Sequence, residues 1–265
     1  MRGLDAAVGE IFGKMKRETW PAGYARRVLD QVDSTNAEAI RMTRDVAGPT
    51  WIMARKQTAA RGRRGRAWVM PKGNFAATLL LHPGGPADRV ALRSFVAALS
   101  LFDALVAVTG RAESFALKWP NDVLLHGGKL AGILLESAGS AGNAQHLMIG
   151  IGVNLVSAPS AELVEPGSLR PVSLLEETGI EVSQEDFLGH LALAYAHWED
   201  RFATYGFEPV RQAWLARAAR VGEVITARTG TTETTGIFET VDETGHLVLK
   251  TRDRRQAISA ADVFF

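Results

Sequence analysis

The fold is decided by residues 115–153, which begin FALKWPNDVLLHGGKLAGILLE and end QHLMIGIGV. This stretch contains four short apolar runs, at 115–119, 123–125, 129–136 and 145–153. Turns rich in glycine and polar residues separate them, and apolar runs joined in this way are typical of consecutive antiparallel strands. The stretch therefore predicts an antiparallel meander, with turns at 126–128 and 138–143.

The chain before the meander supplies further strands and helices. Its apolar runs predict strands at 25–30, 51–57 and 75–81. The short polar side chains at 33–36 are good helix N-caps and predict a helix directly after the first strand. A longer helix is predicted from Pro86 and Asp88 to Gly110, because its apolar residues repeat on one face.

The chain after the meander begins with two helices. Ser183 is followed three residues later by an acid, as in a capping box, and predicts a helix that ends at Gly206. Pro209 suits the first turn of another helix, predicted to run to about Ala219.

From residue 221 the pattern changes to short strands, predicted at 221–227, 234–241 and 247–251. The sequence therefore predicts an α+β fold, with helices packed on a central mixed or antiparallel sheet and a small C-terminal β-barrel. The expected division is a lead-in at 1–24, a main domain at 25–219 and the barrel at 220–265.

Composition narrows the class of protein. The chain has 265 residues, is 46% hydrophobic and carries a net charge of +1, which is not the charge of a dedicated nucleic-acid binder. It has no cysteine, so disulfides, thiolate metal sites and cysteine nucleophiles are excluded. We find no apolar run near the roughly 18–20 residues of a membrane span and no signal peptide. We expect a cytoplasmic protein that does not insert into membranes.

The most unusual local pattern is the arginine loop, residues 60–68, which reads ARGRRGRAW. Arginine offers a planar, permanently charged group for carboxylate or phosphate. Glycine lets the backbone approach a ligand closely, and Trp68 offers a flat apolar face. The loop suits a ligand with negative charge and a flat ring. On this stretch alone, a solvated basic loop or a nucleic-acid patch is equally consistent.

Three further patterns lie within the meander. Lys118 to Asp122 places a lysine and short polar groups at a strand end, although Pro-Asn-Asp is also a plain turn signature. Lys129 can neutralise a carboxylate or phosphate, with Gly132 leaving room beside it, although a lysine at a sheet edge is often only solvated. The sequence from Gly150 to Asn154 is no dinucleotide fingerprint, and predicts a strand against which something packs closely. We find no catalytic triad and no convincing histidine metal pair.

These four patterns, in this order and spacing, resemble the biotin protein ligase family. The family's loop reads Gly-Arg-Gly-Arg-Arg-Gly-Arg-x-Trp, and Lys-Trp-Pro-Asn-Asp, Lys-Leu-Ala-Gly-Ile-Leu-x-Glu, Gly-x-Gly-x-Asn and the upstream Ser-Thr-Asn also match. The resemblance covers residues 25–265 and implies a class II synthetase-like ligase domain with an SH3-like C-terminal barrel. Ala60 departs from the family's first glycine. Only about 25 residues precede the match, so we expect the short form, without an N-terminal DNA-binding domain or repressor activity.

The resemblance also implies roles for individual residues. Those implied to bind biotin are Ser34, Thr35, Asn36, Gln57, Arg61, Gly62, Arg63, Lys129 and Gly132. Those implied to bind ATP or the adenylate are Arg63, Arg66, Trp68, Lys118, Asn121, Asp122 and Asn154. The implied catalytic residues are Lys129, Arg63 and Asp122. Mg²⁺ is expected with ATP, without any assignment of protein ligands.

The implied reaction is activation of biotin by ATP to biotinyl-5'-AMP, with release of pyrophosphate, and transfer of biotin to a lysine of a biotin carboxyl carrier domain. Two anions meet in the first step, so cations must offset their repulsion. Alternatives are a lipoate–protein ligase, an inactive biotin-binding module and a nucleic-acid binder. The arginine loop with Gln57 favours biotin, and Lys129 with Asp122 favours an active enzyme. We expect no nucleic-acid partner, and a monomer or a homodimer.

Overall fold

The computed structural model describes residues 20–140, 142–160, 162, 164 and 168–265, so most of the predicted lead-in lies outside the described residues. A seven-stranded sheet organises the larger part of the chain. Its strands are β1 (Ala25–Val32), β2 (Thr50–Gln57), β3 (Phe75–Leu81), β4 (Phe115–Lys118), β5 (Asp122–Leu125), β6 (Gly128–Ser140) and β7 (Asn143–Val153).

The strand order is β1-β2-β3-β7-β6-β5-β4. β1 and β2 are parallel, and the other neighbours are antiparallel, so the sheet is mixed. β4 to β7 form the predicted meander. β6 runs past its predicted end at Glu136, because Ala138 still pairs with His146 and Gly139 with Ala144. The turn predicted at 138–143 is therefore shorter than expected.

The helices lie on both faces of this sheet. They are α1 (Thr35–Arg41), α2 (Ala87–Ala91), α3 (Arg93–Thr109), α4 (Leu174–Thr178), α5 (Gln184–Tyr205) and α6 (Phe207–Leu215). The long helix predicted before Gly110 is divided at Leu92 into α2 and α3. The helix predicted to reach Ala219 ends at Leu215. The chain beyond it pairs with β4 instead, where Leu117 N donates to Arg217 O and Ala219 N donates to Leu117 O.

The segment Ala87–Thr109 is long and apolar enough to cross a membrane by length and composition, with a window of mean hydropathy 1.8. The expectation that no such segment exists was therefore wrong. Within the protein, 78% of that window is buried. Val96, Leu99 and Leu105 of α3 are fully buried and belong to the main hydrophobic core. Packing against the sheet and α5 accounts for the apolar composition of this segment.

Side-chain alternation divides the sheet into two different faces. On β7, Ile149, Ile151 and Val153 point into the core with α3 and α5. The intervening residues, Met148, Gly150 and Gly152, lie on the opposite face, since successive residues of a strand alternate between faces. There α1 covers one part through a small apolar cluster of Ala39, Met42, Ile52, Leu80 and Met148. The rest of this face has small side chains and remains open for a ligand.

The C-terminal residues form a separate five-stranded antiparallel sheet in the order β11-β10-β9-β8-β12. Its strands are β8 (Val224–Thr229), β9 (Thr232–Val241), β10 (Leu247–Lys250), β11 (Arg255–Ile258) and β12 (Asp262–Phe264). The small all-β domain was predicted, but β11 and β12 were not. The domain is joined to the larger sheet near the site, where Trp119 Nε1 donates to Gly245 O at 3.2 Å.

Candidate functional site

A cavity of about 450 Å³ opens on the sheet face that α1 leaves uncovered. This volume is in the range of small-molecule sites. Every residue that the sequence suggested for binding or catalysis lines it: Ser34, Thr35, Asn36, Gln57, Arg61, Gly62, Arg63, Arg66, Trp68, Lys118, Asn121, Asp122, Lys129, Gly132 and Asn154. The fold thus brings together residues that are more than 100 positions apart, while their individual roles stay predictions.

One end of the cavity, beside α1, is a buried hydrogen-bond network of amides and hydroxyls, which we call the amide end. Gln57 Oε1 accepts from Thr35 N at 2.7 Å and lies 3.2 Å from Thr35 Oγ1. Thr78 Oγ1 lies 2.8 Å from Thr35 Oγ1 and 2.6 Å from Asn36 Oδ1. Asn36 Nδ2 donates to Glu136 Oε2 at 2.7 Å. These bonds tie α1 to three strands of the sheet.

The chemistry of this network fixes most of its proton positions. Asn36 must turn its amide N–H toward the Glu136 carboxylate, so its oxygen faces Thr78. Because that oxygen can only accept, the single proton of the Thr78 hydroxyl is directed to it. The Thr35 hydroxyl then donates either to Thr78 or to Gln57. The network therefore holds Thr35 and Asn36 in fixed orientations at the cavity wall.

Ser34 has a different role from the one its position favours. It is the N-cap residue of α1, yet its side chain makes no capping hydrogen bond. It is buried, lines the cavity, and receives its local support through its backbone N–H, which donates to Asp33 Oδ1 at 2.8 Å. The helix is thus held without the Ser34 hydroxyl, which is left for a ligand.

The other end of the cavity is rich in cations, and we call it the cationic end. Asp122 lies between two lysines, with its Oδ1 2.8 Å from Lys129 Nζ and its Oδ2 3.8 Å from Lys118 Nζ. Burial lowers the pKa of Lys118, although the nearby charge of Asp122 opposes this. A buried ammonium group is poorly solvated by water, so it gains more than a surface lysine from an anionic ligand.

The arginine loop closes over the cationic end. Residues 63–65 form a single 3-10 turn in which Arg64 adopts a left-handed conformation, with φ 57°. Arg63 turns inward and donates to Asn121 Oδ1 and Ala261 O, each at 3.3 Å. Arg64 and Arg66 both reach Asp262 on β12, at 2.6 and 2.9 Å. The loop is therefore held by the C-terminal domain as well as by the meander.

Asp262 is the carboxylate that meets these arginines. Burial by itself would raise the pKa of Asp262, but the hydrogen bond from Arg66 and the charges of Arg64 and Arg63 outweigh that effect. The pKa therefore lies below its usual range, and the group is ionised at neutral pH. Burial also lowers the pKa of the Arg63 guanidinium, which nevertheless stays protonated because its ordinary value is so high.

Trp68 packs on the sheet against Gly132 of β6 and Gly152 of β7. A Cβ on Gly152 would meet its ring at 2.7 Å, and one on Gly132 would meet it at 3.3 Å. Lys129 Nζ lies 5.9 Å from the ring centroid. The close packing predicted for Gly152 is thus confirmed, with Trp68 as the packing group. Gly132 makes room for the same ring.

Two predicted nucleotide residues use their amides inside the protein. Asn154 is buried, and its Nδ2 donates to Val172 O at 3.0 Å. Its Oδ1 accepts from Asn74 Nδ2 at 3.4 Å. Asn121 Nδ2 donates to Ile133 O at 2.7 Å. Both amides therefore position the cavity wall, and Asn121 Oδ1 also positions Arg63.

Three residues with evident roles were not singled out from the sequence. Thr78 is the one polar residue in the apolar run 75–81, and that isolation was a usable signal. Glu136 closes the Lys129 motif but had been given no role. Asp262 carried no signal, because its partners Arg64 and Arg66 lie 198 and 196 positions away in the sequence.

No self-contained metal centre is present in the described part of the chain, where no three histidine, cysteine or acidic side chains cluster as metal ligands. In the cationic end the carboxylates are Asp122, which is paired with Lys129 and Lys118, and Asp262, which is paired with arginines. Since both carboxylates are already neutralised by these lysines and arginines, the cations of this end attract anions. A divalent cation would be held here mainly by an anionic ligand that accompanies it.

Comparison with known proteins gives a consistent picture. Residues 28–154 match the biotin/lipoate A/B protein ligase family, and residues 221–265 match the biotin protein ligase C-terminal domain. The chain is 57% identical over 238 residues to a biotin–[acetyl-CoA-carboxylase] ligase from Paracoccus denitrificans, covering 90% of this chain and 99% of that protein.

Solved structures show the same fold. A variant of biotin protein ligase from Aquifex aeolicus, in complex with biotin, has a TM-score of 0.76 and 25% identity, covering 90% of this chain and 97% of the other. The ligase from the same organism in complex with biotin and ATP has a TM-score of 0.75 and 24% identity, with 90% and 98% covered. The architecture predicted from the sequence, a ligase domain followed by a small β domain, is confirmed.

Proposed function

Because this chain belongs to the biotin protein ligase family, we propose that it activates biotin with ATP and then transfers it to a lysine of a biotin carboxyl carrier domain. The observation that carries the proposal is one cavity that joins a buried amide end to a cationic end. The named activity of the Paracoccus relative and the biotin and ATP in the Aquifex complexes support it.

The amide end fits the ureido ring of biotin, which presents two N–H donors and one carbonyl oxygen. Ser34, Thr35 and Gln57 line that end and supply hydroxyl, backbone and amide groups of both kinds. Thr78 and Glu136 hold Asn36 and Thr35 in place behind them. A site of fixed, neutral hydrogen-bonding groups discriminates strongly against ligands that lack matching partners. This favours biotin over lipoate, which has no ureido group.

The cationic end fits the reacting groups. In the first step a carboxylate oxygen of biotin attacks the α-phosphorus of ATP, the bond to the β-phosphate oxygen breaks, and pyrophosphate leaves. Lys129 and Arg63 are placed to offset the repulsion between the two anions and the charge of the transition state. Lys118 and Arg66 extend the positive charge toward the leaving group. Trp68 offers its exposed face to the adenine.

Mg²⁺ would accompany ATP rather than occupy a site of its own. The donor set fits this use, because Asp122 is a single buried carboxylate that lines the cavity. Mg²⁺ is commonly held by one or two carboxylates together with substrate phosphates. When bound, it would neutralise part of the charge of the leaving pyrophosphate. Asp122 would hold it, while Lys129 stays paired to the same carboxylate.

In the second step the amine of the acceptor lysine attacks the acyl carbon of biotinyl-5'-AMP. The carbon–oxygen bond to the phosphate breaks, AMP leaves with its electron pair, and the amine loses a proton to give the amide. The mixed anhydride must be kept from water until the acceptor arrives. The arginine loop, which lies over the cationic end, is placed to shield it.

The proposed function also assigns the two domains, the cellular compartment and the acceptor. We assign residues 25–219 to the catalytic domain and 220–265 to the C-terminal domain. ATP use and the lack of cysteine fit the reducing cytoplasm. The acceptor is a carrier domain such as that of acetyl-CoA carboxylase, as the name of the Paracoccus relative suggests.

One experiment tests the proposal directly. Exchange of labelled pyrophosphate into ATP is measured with biotin and with lipoate, side by side, and a purified carrier domain is then added. We expect exchange and carrier labelling with biotin and neither with lipoate. Exchange with lipoate alone would assign a lipoate ligase. Biotin binding without any exchange would show a binding module and overturn the proposed function.

A further inference from the structure

Asp262 is the contact through which the C-terminal domain holds the arginine loop. Its Oδ2 lies 2.6 Å from Arg64 Nη1 and 2.9 Å from Arg66 Nη2, and its Oδ1 lies 4.0 Å from Arg63 Nη1. The neighbouring Ala261 O accepts from both terminal nitrogens of Arg63, at 3.3 and 3.4 Å. Asp262, the first residue of β12, and Ala261 just before it thus contact three of the four arginines.

Within the described part of the chain, the loop is also held by its own backbone hydrogen bonds, by the contact of Arg63 with Asn121 and by the packing of Trp68 on Gly132 and Gly152. Within 60–68 the backbone bonds run from Gly62 N to Arg66 O, from Arg66 N to Arg63 O and from Trp68 N to Ala60 O. Trp68 packs on the sheet at the C-terminal end of the loop, but no side chain at 61–67 is fully buried, so hydrophobic burial contributes little to holding the arginines. Four guanidinium groups within residues 61–66 repel one another. A counter-anion therefore stabilises the folded loop when no ligand is bound.

The position of Asp262 makes it an effective counter-anion. Its side chain is 14% exposed, whereas those of Arg64 and Arg66 are 42% and 41% exposed. The carboxylate is thus fixed on a strand, and β12 itself is paired with β8. The arginines reach it from an irregular loop, where their side chains are more exposed. An anion held by a rigid element orders the mobile partner, at a smaller entropic cost than two mobile side chains would require.

We propose that Asp262 is a positioning residue that folds the arginine loop over the cavity before biotin and ATP bind. Arg63 is then directed by Ala261 O and Asn121 Oδ1 toward the reacting phosphate, and binding need not order the loop. The C-terminal domain thereby controls how tightly the adenylate is retained. This inference rests on the proposed function for its effect on the adenylate, but its effect on the loop does not.

The loop contains its own reporter, because trypsin cleaves after arginine. The full-length protein without ligand is treated with trypsin, and cleavage after Arg61, Arg63, Arg64 and Arg66 is followed by mass spectrometry. We compare wild type with Asp262→Asn, which removes the charge at nearly constant shape, and with Asp262→Glu, which restores it. Asp253→Asn is the matched control, since Asp253 is an exposed aspartate of the same domain.

We expect Asp262→Asn to be cut in the loop at least about tenfold faster than wild type, since local opening governs such cleavage. Asp262→Glu should recover part of the protection, and Asp253→Asn should behave as wild type. Biotin with α,β-methylene ATP should reduce the difference in cleavage rate between Asp262→Asn and wild type, because the bound ligands then order the loop. Asp262→Asn should also release preformed adenylate faster. Melting curves show whether Asp262→Asn has unfolded the C-terminal domain altogether. In that case the cleavage rate of the loop in Asp262→Glu, compared with wild type, tests the inference.

Equal cleavage of wild type and Asp262→Asn at these arginines would overturn the inference. So would tighter ATP binding by Asp262→Asn with unchanged cleavage, since Asp262 would then act as a competitor of phosphate. Failure of the proposed function looks different, because wild type would show no pyrophosphate exchange with biotin while its loop protection remained.

Discussion

The two ends of the cavity solve the problem of ligand binding in opposite ways. The amide end is largely buried and made of hydroxyls and amides, and Thr35, Asn36 and Gln57 are each held by a neighbour on a helix or strand. The cationic end has two lysines and several arginines, and part of it belongs to an exposed loop. Fixed neutral groups provide selectivity for shape and hydrogen bonding. The cations provide attraction for phosphate, and those on the loop lie where the loop could open to release the product.

The largest effect that separates the two ends is expected at Lys129. We expect Lys129→Ala to lower biotin-dependent pyrophosphate exchange by about 10²–10³-fold, the usual loss when one group that stabilises transition-state charge is removed. Biotin binding by calorimetry and the melting temperature should change little, because the amide end is intact. Lys250→Ala is the control, since Lys250 is exposed on β10 of the other domain. Normal exchange by Lys129→Ala would remove this residue from the chemistry.

A matched pair of glycines on β7 separates the two ends. A Cβ on Gly150 would lie 2.3 Å from Asn36 Oδ1, and one on Gly152 would lie 2.7 Å from the Trp68 ring. We expect Gly150→Ala to raise the KM for biotin and Gly152→Ala to raise the KM for ATP, each by up to about 10²-fold, as small displacements at a site can do. Steady-state kinetics with each substrate varied in turn checks this. Equal effects of both variants on both substrates would contradict the division.

Thr78 sharpens the description of the amide end. Thr78→Val keeps the shape of the side chain but leaves Asn36 Oδ1 without its hydroxyl donor. An unsatisfied buried acceptor costs about 1–3 kcal/mol, so we expect the dissociation constant for biotin to rise about tenfold or more, with little effect on ATP. Ser100→Ala is the control, because that hydroxyl is equally buried but bonds only Val96 O of its own helix. Unchanged biotin affinity would show that the network does not position the ligand.

The smallest effect is expected from Lys118, and it concerns stability. Because burial lowers the pKa of Lys118, the folded protein binds that proton less tightly than the unfolded chain does. The residue therefore destabilises the fold below its lowered pKa, and the penalty fades as the pH rises toward the ordinary value of 10.5. We expect Lys118→Met to lose activity yet melt at an equal or higher temperature at pH 7. Its advantage over wild type should shrink in scans at higher pH, and a lower melting temperature at pH 7 would contradict this.

Much of the fold follows from local pattern. The meander at 115–153 could be predicted because its apolar runs and Gly-rich turns are short-range signals, and the Ser183 capping box is present as expected, with Ser183 Oγ accepting from Asp186 N. The predicted ends of helices and strands were wrong where pairing with a distant part of the chain determines them. α6 stops at Leu215 because the following residues pair with β4. β11 and β12 were missed because they have too few apolar residues to stand out.

The sequence by itself determined the family, the strand pattern of the main sheet and many of the residues that line the cavity, because these depend on motifs within a few residues of one another. Tertiary structure alone decided how those residues are held. Ser34 does not cap its helix, Asn154 turns its amide inward, and Thr78 bonds to α1 only because β3 lies beneath it. The grip of Asp262 on the arginine loop is the clearest case. No local pattern encodes a charge pair between residues almost 200 positions apart, since only the docking of two domains brings them into contact.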